Sequence, residues 1–130
     1  MAWFAGKIWL IGGRDAQSTQ LYHVWSSPDG ITWTQESNPN WEGLPSPNPQ
    51  VFRGKLCLFM ASSPVFKKKL PLALWQMDAT GAWAQDPAIP NGYALPTGPI
   101  GGIAIAVYKD TLFASFNSNT SLSGIWMRNT

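Results

Sequence analysis

Phe4-Ala5-Gly6-Lys7-Ile8-Trp9-Leu10, FAGKIWL, returns as Phe52-Arg53-Gly54-Lys55-Leu56-Cys57-Leu58, FRGKLCL, and more loosely as Tyr108-Lys109-Asp110-Thr111-Leu112-Phe113. Each copy runs from an aromatic through a two-residue turn containing Gly or Asp to a polar residue and an apolar run. That order specifies a hairpin between two strands.

Other landmarks keep the same spacing. Val24-Trp25, Leu74-Trp75 and Ile125-Trp126 place their tryptophans 50 and 51 residues apart. After the first two comes a turn ending in another tryptophan, Asp29-Gly30-Ile31-Thr32-Trp33 and then Asp78-Ala79-Thr80-Gly81-Ala82-Trp83. Trp41-Glu42-Gly43-Leu44-Pro45 is echoed by Tyr93-Ala94-Leu95-Pro96. Independent features sharing one period of about fifty residues indicate an internal repeat.

Each period reads strand, tight turn, strand, long loop, strand, tight turn, strand, long loop. This is the order of a four-stranded antiparallel propeller blade. The units fall at approximately 1–48, 49–99 and 100–130, the last incomplete. The runs Ile8 to Ile11 and Leu56 to Met60 are apolar without alternation, which predicts sheets covered on both faces. Gly101-Gly102-Ile103-Ala104-Ile105-Ala106 suits an innermost strand, where crowding favours small side chains.

Composition agrees with an all-β class. Eight Trp, twelve Gly and eleven Pro in 130 residues describe many strands, many turns and large aromatics between them. Only 12% of residues are charged and the net charge is +2, with Lys67-Lys68-Lys69 the one basic run. That run reads as a solvated loop tip, and the chain lacks the focused basic field of a nucleic-acid binder. Cys57 is the single cysteine and His23 the single histidine, both read as structural residues. They exclude an intrachain disulfide and offer too few ligands for a zinc, copper or haem site, so no cofactor or metal is expected. The N-terminal segment carries Lys7 within its apolar residues and has no basic lead-in, unlike a signal peptide. No apolar run reaches the roughly 18 to 20 residues of a membrane span. The expectation is a soluble, cytoplasmic protein.

The Gly-Lys-hydrophobic hairpin followed by Ile11-Gly12-Gly13, with a repeat near fifty and a late tryptophan, resembles a kelch-type β-propeller. Ser27-Pro28-Asp29-Gly30-Ile31-Thr32-Trp33 also resembles a shortened Asp-box, the hairpin signature of sialidase-like propellers. The double glycine gives way to Ala61-Ser62 and Ser115-Phe116 in the other units. In the families it resembles, the Asp-box lies on outer strands away from the catalytic centre. The resemblance therefore implies that Asp29 and Gly30 shape a turn, as Gly81 does in the second unit. Trp25, Trp33, Trp75, Trp83 and Trp126 are the repeat's packing residues.

Propellers close with roughly 4 to 8 blades, more than the two to three that 130 residues supply at this period. The chain is then either part of a longer propeller or one half of a symmetric ring. The expectation adopted is a homodimer closing a six-bladed ring.

The long loops, 12–20, 34–48, 61–70, 84–99 and 116–123, make the face where binding residues are expected. Arg14, Asp15, Gln17, Trp41, Glu42, Lys67, Lys68, Tyr93, Asn117 and Asn119 lie there, with Trp41 and Tyr93 as possible stacking platforms. The kelch resemblance implies a non-catalytic module that binds a protein or a glycan. The alternatives are a sialidase-like glycoside-processing enzyme and a structural part of a larger propeller assembly. Glycoside chemistry needs a carboxylate pair or an arginine cluster. Arg14, Arg53 and Arg128 are the only arginines, and most of the five Asp and two Glu stand in turns.

Overall fold

The structure is a computed structural model that describes residues 1–19, 21–37, 44–45, 48–61, 73–86, 100–118 and 124–128. These residues form antiparallel strands and no helix. The first sheet is a meander of β1 (Ala2–Phe4), β2 (Lys7–Ile11), β3 (Val24–Ser27) and β4 (Thr34–Glu36). The second joins β5 (Leu44–Pro45) and β6 (Gln50–Phe52) to one side of β7 (Lys55–Ala61), followed by β8 (Ala73–Met77) and β9 (Trp83–Gln85). The third is β10 (Ile100–Tyr108), β11 (Thr111–Ser118) and β12 (Gly124–Arg128). None of the sheets closes on itself.

The repeated hairpins form as their residues require. Ala5 and Gly6, Arg53 and Gly54, and Lys109 and Asp110 all take positive φ. Two consecutive left-handed residues mark the type I′ turn, whose twist matches that of the flanking strands. The third hairpin makes this turn without glycine, so strand pairing holds two L-residues in a conformation they rarely choose.

The register is the same in all three sheets. Phe4 faces Lys7, Phe52 faces Lys55 and Tyr108 faces Thr111 across the turns. Three residues further on, Leu10, Leu58 and Ala114 face Trp25, Trp75 and Trp126 on the next strand. The recurring tryptophans thus occupy one position of a common pattern.

Because successive side chains alternate across a strand, each sheet has two faces that can be named by this register. The leading face carries Leu10, Leu58 and Ala114; the trailing face carries Trp9, Cys57 and Phe113. The trailing face of the first sheet, with Phe4, Trp9 and Val24, packs on the leading face of the second, with Leu56, Leu58, Met60 and Met77. The trailing face of the second, with Phe52, Cys57, Phe59 and Leu74, packs on the leading face of the third, with Ile105, Leu112 and Ala114. The middle sheet is therefore covered on both sides, as the unbroken apolar run of β7 requires. In β2 only Trp9 is fully buried, while Ile8 is half-buried and Leu10 exposed. The physical reason is that, among the described residues, no sheet packs on the leading face of the first sheet.

The exposed Arg53 and Asp110 side chains join the turns of the second and third sheets at 3.0 Å. An exposed pair of this kind contributes at most about 1 kcal/mol. The strand β5 adds a further finding. Leu44 and Pro45 pair with Ala61 and Met60, so this landmark belongs to the second sheet rather than to the unit ending near residue 48. Together β5 and β6 do what β10 does as one strand, with an irregularity between Ile100 and Gly102.

Candidate functional site

The meander sorts the connections into two ends. Hairpins 5–6, 53–54 and 109–110 and the turns 28–33 and 78–82 lie at one end. The connection 12–23 and the strand ends that lead into the other long connections, at Glu36, Leu44, Ala61, Ala73, Gln85, Ile100, Ser118 and Gly124, lie at the other. The loop end is the candidate site.

Of the residues expected there, Trp41, Glu42, Lys67, Lys68, Tyr93 and Asn119 lie outside the described residues. Asn117 belongs to β11, where its backbone pairs with Gly102, so strand pairing extends further than the expected loop boundary at residue 116.

The connection 12–23 is described except at residue 20, and it is folded back on itself. Gly12 N–H donates to the His23 carbonyl at 3.0 Å, and Leu21 N–H to that of Gly13 at 2.9 Å. At its tip, Asp15 Oδ1 accepts the N–H groups of Gln17 and Thr19 at 2.9 and 2.8 Å. Arg14 Nη1 donates to the Ser18 carbonyl at 3.3 Å. One carboxylate oxygen and the guanidinium therefore brace the loop. The signal was present in Asp15-Ala16-Gln17-Ser18-Thr19, where an Asp ahead of small polar residues specifies an Asx turn.

The Asp-box-like segment uses the same device at the opposite end. Asp29 Oδ1 accepts the N–H groups of Ile31 and Thr32, each at 2.8 Å. Ser27 Oγ donates to Asp29 at 3.1 Å and accepts Gly30 N–H at 2.8 Å. Trp33 turns back on this loop, its Nε1 donating to the Gly30 carbonyl at 3.2 Å. In the second sheet, Asp78 Oδ1 accepts from the Thr80 hydroxyl and from the N–H groups of Thr80 and Ala82. Trp75 and Trp83 pack against the core between the first two sheets, whereas Trp25 lies half-buried on the open leading face. The tryptophans are thus not uniform inter-sheet packers. Trp33 serves its own turn.

These bonds hold both carboxyls below the usual carboxylate range. At Asp29 the largest cause is the Thr32 N–H, followed by that of Ile31. At Asp78 it is the Thr80 hydroxyl, followed by the Ala82 and Thr80 N–H groups. A carboxyl whose pKa is lower folded than unfolded contributes stability above its unfolded pKa of about 3.9. That contribution is lost as pH falls through the lower folded value. Melting temperature should therefore fall below about pH 4, and Asp29→Asn with Asp78→Asn should flatten that acid decline. An unchanged slope in the double variant would refute this origin.

Sequence reasoning passed over one polar cluster. Ser26 Oγ donates to Glu36 Oε1, which also lies 3.8 Å from Lys7 Nζ. Lys7 stands 5.9 Å from the centre of the Trp9 ring. The signal was the lysine repeated after the turn as Lys7 and Lys55. Among the described residues, no group of three or more His, Cys, Asp or Glu converges to hold a metal ion. No helix among them is long and apolar enough to cross a membrane.

Comparison with known proteins finds no matching family model, no matching curated protein and no matching solved structure.

Proposed function

We propose that the three sheets are blades of a kelch-like β-propeller arc, and that the chain is a non-catalytic binding or scaffold module. Its ligand, a protein or a glycan, meets the loop end. The observation that supports this reading is the shared register of three stacked meanders, which brings the described strand ends leading into the long connections to one end of the packed sheets. Loops held this way can vary in sequence without disturbing the packed sheets. The Asp-box-like turn supports a structural role, because Asp29 Oδ1 accepts two backbone N–H groups and the Ser27 hydroxyl of its own turn.

Trp41 and Tyr93 are the aromatic anchors of this proposal, since aromatic side chains provide large contact area with few rotors to freeze. A glycan array and capture of a protein ligand supply the assay. Trp41→Ala and Tyr93→Ala should each weaken binding about tenfold or more, with the melting temperature unchanged. Binding that survives both substitutions would reject this site, and turnover of fluorogenic glycosides would reject the non-catalytic reading.

A further inference from the structure

We propose that two copies of this chain close head to tail, the open leading face of β1–β4 in one copy seating on the open trailing face of β10–β12 in the other. The proposal rests on the blade reading above and names the partner that completes the arc.

The repeat makes positions in the three sheets equivalent. Leu58 and Ala114, on the leading faces of the second and third sheets, are 0% and 1% exposed, whereas Leu10 at the same register is 38% exposed. Leu56 and Leu112 are fully buried, but their counterpart Ile8 is only half-buried. On the trailing faces, Phe4 and Phe52 are 7% and 3% exposed, while Tyr108 is 62% exposed. Trp9 and Cys57 are buried, and their counterpart Phe113 is half-buried. The open faces thus retain the apolar residues of a junction without having the junction.

They are also its two different halves. An antiparallel sheet meant for water on one side places polar residues there. The open leading face presents Trp3, Ile8, Leu10 and Trp25 beside Gln35, and the open trailing face presents Tyr108, Phe113 and Met127 beside Thr111 and Ser115, so large apolar side chains stand where polar ones would suffice. The chain already joins a trailing face to a leading face twice, through Phe4, Trp9 and Leu58 and through Phe52, Phe59 and Leu112. A second copy supplies the missing half of each open junction at once. Two identical seams related by a two-fold axis leave no face unpaired, which is the condition for a closed assembly rather than a filament.

Light scattering after size-exclusion chromatography tests this directly. The wild-type chain should run at twice its 14.3 kDa. Leu10→Arg and Tyr108→Arg should each run at the mass of one chain. Both side chains are exposed within one copy, so the variants should still melt cooperatively. An equimolar mixture of the two variants should recover the two-chain mass at higher concentration, because one of its two seams contains neither arginine. The proposal is overturned by a wild-type mass of one chain or of more than two. Dissociation by only one of the substitutions would also overturn it, because that outcome describes like faces pairing. A monomer that still captures its ligand would overturn ring closure alone. A two-chain ring that binds nothing would leave closure standing and overturn the binding function.

Discussion

Phe59→Ala is expected to remove about 3 to 5 kcal/mol of stability, a large share of the roughly 5 to 15 kcal/mol that holds a typical domain together. Among the described residues, Phe59 is the largest of the fully buried side chains. It lies on β7, in the middle sheet, and belongs to the core joining that sheet to the third. Truncation removes apolar area from the contact and leaves a cavity whose walls are strands pinned on both sides, so little collapse can offset the loss. Denaturant unfolding followed by tryptophan fluorescence would measure the change. A loss below about 1 kcal/mol, the scale of an ordinary surface substitution, would mean that the second and third sheets do not stack through this residue.

The second large effect is a contrast between equivalent positions. Leu58→Ala should cost about 2 to 5 kcal/mol, the usual range for a buried leucine, because Leu58 is enclosed between the first and second sheets. Leu10→Ala, at the same register position one sheet earlier, should cost about 1 kcal/mol or less in solutions dilute enough to keep chains apart. Sequence similarity would rank the two leucines alike. Their stacking separates them. Equal losses in dilute solution would show that Leu10 is covered within a single chain and would refute the open face.

Much of this architecture was legible because a few residue types carry it. The aromatic, the turn pair and the following polar residue set each hairpin, and the late tryptophan fixes which residues face one another. The third hairpin could be read without a glycine, since Tyr108 and the apolar run of β11 keep the pattern. The membership of Leu44 and Pro45 in the second sheet was not legible. A two-residue strand containing proline has little local strand signal, and long-range pairing with β7 decides its place. Asn117 escaped for a related reason: asparagine disfavours strands, yet pairing with Gly102 draws it into β11. At the loop end, Arg14 and Asp15 are expected as binding residues because they stand on a long loop. The bond pattern shows both side chains bracing the loop that carries them, Asp15 through the Asx turn its sequence allowed and Arg14 through the Ser18 carbonyl, which no local motif announced.

The meander also governs how the chain reaches this structure. Nearly every strand pairs with its neighbour in sequence, with β5 reaching one strand further to β7. Each sheet can therefore assemble from local hairpins before any sheet meets another, and short-range closure favours fast folding. Whenever a sheet forms ahead of stacking, β7 is exposed on both sides. The same two-sided burial that secures the finished core leaves the middle sheet with two apolar faces to protect from aggregation during synthesis and refolding.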